Sequence, residues 1–65
     1  MQTYLDKNMT IKIMHEGSAQ PFLIIKGDKC TVNKSIIKVF KKTDETFDEI
    51  ACITRLYDFS IEYEK

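Results

Sequence analysis

From Tyr57 onward the chain alternates without a break: Tyr57, Phe59, Ile61 and Tyr63 are apolar or aromatic, and Asp58, Ser60, Glu62 and Glu64 between them are polar. Period two is the repeat of an extended strand with one buried face. Such a strand must lay its apolar side on other elements, so the rest of the chain is expected to supply them. Met9, Ile11 and Ile13 alternate in the same way with Thr10, Lys12 and Met14. His15 to Pro21 is then a polar run with Gly17 and Pro21, the composition of a loop.

Phe22-Leu23-Ile24-Ile25 is a short unbroken apolar run ended by Gly27-Asp28, which predicts a strand buried on both faces. Gly27-Asp28-Lys29 reads as a tight turn into Cys30-Thr31-Val32. Ser35–Lys42 and Thr46–Thr54 flank Thr43-Asp44-Glu45. With Asp44 and Glu45 as a two-residue turn, Thr43 faces Thr46, Lys42 faces Phe47 and Lys41 faces Asp48. Further along, Val39 faces Ile50, Ile37 faces Cys52, Lys38 faces Ala51 and Ile36 faces Ile53. Matches of this kind fix a register.

The expected fold is mostly β, a small antiparallel meander or barrel-like sheet of five or six strands. The alternative is α+β with one helix at about 46–57, because Thr46-Phe47-Asp48-Glu49 has capping-box form and Phe47, Ile50, Ala51, Thr54 and Tyr57 fall at helical spacing. The 65 residues form one small domain with residues 1–7 expected to be poorly ordered, near the lower size limit for folding without disulfides, metals or a partner.

Ten basic and ten acidic side chains give no net charge, so no global field draws the chain to nucleic acid or to an anionic membrane. The first residues lack a signal-peptide pattern and no apolar run approaches the roughly 20 residues of a membrane span; the expected location is the cytoplasm. Cys30 and Cys52 lack the spacing of a redox or zinc motif and read as reduced core thiols. Nine lysines against one arginine, with nine isoleucines, point to A/T-rich codons and a bacterial or phage source.

His15 is the single histidine and sits in a loop, with no nucleophile or paired metal ligand at a telling distance in sequence. The expectation is therefore no catalytic residues, no metal and no cofactor. Two contact surfaces are expected instead. Residues 1–42 carry a net +5 and residues 43–65 a net −5; pairing within the chain accounts for much of that split. What remains predicts a protein partner at the acidic, aromatic last strand, through Tyr57, Asp58, Phe59, Glu62, Tyr63 and Glu64, with a homodimer through the same sheet edge as a second-order expectation. The other reading is nucleic acid on Lys34, Lys38, Phe40, Lys41 and Lys42, four lysines around an aromatic ring. The first reading makes the chain an inhibitor, adaptor or regulatory subunit.

Overall fold

A computed structural model describes residues 1–63 and contains five strands: β1 (Gln2–Met14), β2 (Pro21–Val32), β3 (Ile36–Thr43), β4 (Thr46–Thr54) and β5 (Asp58–Glu62). All neighbours are antiparallel, in the order β4-β3-β2-β1-β5. The fold is thus the expected small β meander, and the alternative helix at 46–57 is absent. Thr46–Thr54 pairs along its length with β3 instead; the cross-strand ladder overrides both the capping signal and the helical spacing of Phe47, Ile50, Ala51, Thr54 and Tyr57.

The sheet has to curl. Laid flat, its two outermost strands would stand about 19 Å apart, four strand spacings, yet the four Cα steps from Thr54 to Asp58 reach about 14 Å at most. Curling places the inward side chains in one cluster. Met9, Ile11 and Ile13 of β1, Cys30 and Val32 of β2, and Ile37 and Val39 of β3 are buried there. Tyr4, Ile25, Ala51, Ile53, Tyr57, Phe59 and Ile61 pack against them. The backbone N–H of Arg55 donates to the Ser35 carbonyl at 3.0 Å, tying the β4–β5 link to the β2–β3 loop.

The long strand β2 is shared between two halves of this curl. Its first half, Leu23–Gly27, pairs with Met9–Ile13, and its second half, Lys29–Val32, pairs with Gln2–Leu5 and with Ile37–Phe40. Between the halves, Asp6, Lys7 and Asn8 of β1 bulge opposite Asp28 alone, and Asn8 takes φ +54. One expectation is corrected here: Gly27-Asp28-Lys29 is not a turn, because β2 runs straight through it. Residues 2–5 are paired with β2 as part of β1.

Gly27 is needed for approach rather than for turning: a Cβ there would lie 2.5 Å from Val39 Cγ1 and 2.9 Å from the Phe40 carbonyl oxygen. In the β3–β4 hairpin the register from Thr43↔Thr46 to Lys41↔Asp48 is as expected. That register holds through Phe40 opposite Glu49, and a bulge then sets Val39 opposite Ala51 and Ile37 opposite Ile53. The extra residue, Ile50, is left exposed while Ala51 and Ile53 join the core.

Candidate functional site

The predicted acidic surface is only partly assembled. Phe59 and Ile61 turn inward, and Glu62 accepts from Lys12 Nζ at 2.8 Å. Asp58 and Tyr63 remain exposed, and Glu64 lies outside the described residues. β5 does form one edge of the sheet. Tyr57 has a different setting: its ring meets Phe22 edge-on at 4.9 Å and His15 at 5.4 Å, while His15 stacks on Phe22 at 4.5 Å. These three residues come from the end of β1, the start of β2 and the link before β5, and together they close one open end of the curled sheet. Arg55 lies over Phe59, its guanidinium carbon 5.0 Å from the ring centroid.

The lysine patch is dispersed. Lys38, Phe40 and Lys42 share the outer face of β3, opposite the inward Ile37 and Val39, whereas Lys41 alternates to the other side and Lys34 sits in the β2–β3 loop. Lys38 pairs with Glu49 at 3.5 Å. Lys29, absent from the sequence expectation, brings its ammonium to 5.1 Å from the Phe40 ring and 5.2 Å from Phe47, so the aromatic faces that would stack on bases already carry a cation. Both ion pairs among the described residues join the basic half of the chain to the acidic half.

A groove of about 560 Å³ crosses the outer surface, with Leu5 and Phe47 as apolar walls and Asp6, Asp28, Asp44 and Lys42 around them. Its central group is structural. The Asp28 carboxylate accepts the Lys42 N–H at 2.9 Å and the Asn8 N–H at 3.1 Å. Those two bonds, Lys42 first, hold its pKa below the usual aspartate value because both favour the charged form. Asp28 thereby fastens the β1 bulge and the end of β3 to β2. Among the described residues no cluster of three or more His, Cys, Asp or Glu side chains is arranged to hold a metal ion. Cys30 is buried and burial pushes its thiol pKa up, but Cys52, expected in the core, is exposed. The β4 bulge turns it outward.

The most distinctive surface lies where the sequence predicted burial. Phe22, Leu23 and Ile24 are 47%, 40% and 56% exposed. β3 pairs only with Lys29–Val32 of β2, so Pro21–Lys26 has β1 on one side and, among the described residues, no strand on the other. The apolar run reads as a doubly covered strand, and the missing cover is the reason it does not become one. β3 crosses β2 closely at Gly27 and leaves along the Asp28 carboxylate instead of continuing the ladder. The aromatic cluster of His15, Phe22 and Tyr57 abuts this free edge, and Leu56, 80% exposed, immediately precedes Tyr57 in the link to β5. The signal available in the sequence was Gly27 itself, read as a turn when it marks a close crossing.

Among the described residues no helix is long and apolar enough to cross a membrane. No protein-family model matches the chain, and neither the curated proteins nor the solved structures include a match.

Proposed function

We propose that this chain is a non-catalytic protein-interaction module whose contact surface is the free edge of β2, Pro21 to Lys26, with the aromatic rim of His15, Phe22 and Tyr57 beside it. The observation that carries this reading is the coincidence, on one short segment, of an unpaired strand edge with three neighbouring exposed apolar side chains. Unpaired edges are normally shortened, charged or covered, because they offer a row of backbone donors and acceptors to any extended chain. A partner that adds a strand satisfies those groups, and its side chains cover Leu23 and Ile24.

The link before β5 contributes through Tyr57 at the rim more than β5 does through its acids, of which Glu62 is already paired with Lys12. Nucleic-acid binding has weaker support, since Lys38 is paired with Glu49 and Lys29 occupies the Phe40 and Phe47 faces.

The reading is tested by affinity capture on three baits: the native chain, Ile24→Glu, and Lys38→Ala with Lys42→Ala. The expected result is a bound protein, untagged chain included, that is retained by the native and lysine-substituted baits and lost from Ile24→Glu. Retention on Ile24→Glu, with loss on the lysine variant or after nuclease treatment, would overturn it.

A further inference from the structure

We infer that the occupant of this edge is a second copy of the same chain, two β2 strands pairing antiparallel about a two-fold axis at Ile24; the inference rests on the edge reading above. In an antiparallel pair, residues directly opposite share a face. A two-fold at Ile24 sets Ile24 against Ile24, Leu23 against Ile25 and Lys26 against Phe22. Apolar thus meets apolar at the three central positions. Lys26 is the single charge on the segment, and its two copies fall at opposite ends of the paired stretch, each beside an aromatic residue. Leu23 to Gly27 also pairs with β1 in unbroken register, which holds the edge straight for a neighbour.

The other sheet edges lack this self-complementarity. About Ser60, the centre of β5, Asp58 would lie opposite Glu62, and like charges directly opposite oppose pairing. The free side of β4 is broken by the bulge at Ile50, and bulges bend an edge away from further strands. Among the described residues, the β2 edge combines an unbroken ladder with a charge pattern compatible with its own rotated copy. A two-fold contact is also closed: each chain uses its single β2 edge once and the assembly stops at two, whereas a β2 edge on a β5 edge would propagate into open arrays.

Sedimentation velocity over a concentration series tests this with the native chain, Ile24→Lys, Ile24→Glu and an equimolar mixture of the two variants. Ile24 faces Lys12 across β1, so Ile24→Glu gains an opposite charge within its own fold and serves as the variant that keeps its structure, checked by circular dichroism. The expected result is a reversible native dimer at high micromolar concentration, at least about tenfold weaker association for each variant alone, and a dimer restored by mixing, where ammonium meets carboxylate on the axis. A native chain that stays monomeric, variants that dimerise like the native chain, a mixture that restores nothing, or growth beyond two copies each overturns the inference. A monomeric native chain whose capture of some other protein is lost in Ile24→Glu removes the second copy and leaves the edge reading standing. No effect of Ile24 in either experiment removes both.

Discussion

Gly27 and Asp28 do in two residues what the fold needs at its crossing point. Gly27 is buried beneath β3, and any side chain there meets the Phe40 carbonyl, which cannot swing away as a side-chain tip can. Gly27→Ala is therefore expected to destabilise the chain by about 1–3 kcal/mol, the usual cost of forcing a carbon into a packed site, measured as a lower denaturant midpoint at unchanged slope. Asp28 sets an acid limit on the same junction. Its folded-state pKa is depressed by the two backbone N–H bonds, so its contribution is present above the unfolded value and is lost as pH falls through the folded one. Melting temperatures recorded from pH 5 down to about pH 2 are expected to fall more steeply for the native chain than for Asp28→Asn, whose neutral side chain does not titrate. Parallel curves for the two would show that the carboxylate bonds do not distinguish the folded from the unfolded chain.

Among the elements, the β3–β4 hairpin separates what the sequence makes legible from what it hides. The turn at Asp44 and the pairs nearest it follow from polar turn residues and from Lys41 matching Asp48. The bulge does not, because Ile50, Ala51, Cys52 and Ile53 are all apolar, and either alternating pair among them is a plausible inward set. Packing decides: with the bulge, Val39 meets Ala51 and Ile37 meets Ile53 on the buried face. Ile53→Ala is accordingly expected to cost about 2–3 kcal/mol, and Ile50→Thr to stay within about 0.5 kcal/mol, both measured by chemical denaturation. The reverse order would place Ile50 inside and abolish the bulge. The same limit explains β2. An apolar run reports that its residues favour burial, whereas the neighbour that supplies burial is set by where β3, a separate strand, diverges from β2 at Gly27 and Asp28. The last strand was legible because strict alternation leaves a single inward set, Phe59 and Ile61. Of the contact residues expected from sequence, Tyr57 belongs to the rim; the free edge itself was hidden by its own hydrophobicity.

For the molecule as a whole, a small core and an apolar edge are two sides of one economy of size. A chain this short buries a limited fraction of its surface, and one sheet curled on itself leaves the first half of β2 with a neighbour on one side. Adding a strand there would continue the sheet across two molecules and cover Leu23 and Ile24 without any rearrangement of the core. The charge split along the chain is consistent with this division of labour: its two observed ion pairs, Lys12 with Glu62 and Lys38 with Glu49, lie on exposed strand faces, where such pairs contribute little to stability. The uncharged stretch from Phe22 to Ile25 is left as the surface with the most to gain from contact.

Hydrogen exchange resolved to single amides, read along Phe22 to Lys26 at low and at high protein concentration, tests that claim most directly. In dilute solution the amides of this stretch that point toward β1 should be protected and those that alternate with them should exchange freely. At high concentration the free set should slow while the rest of the sheet is unchanged. Protection of both sets in dilute solution, or free exchange that concentration leaves untouched, would contradict an open β2 edge that receives a second copy.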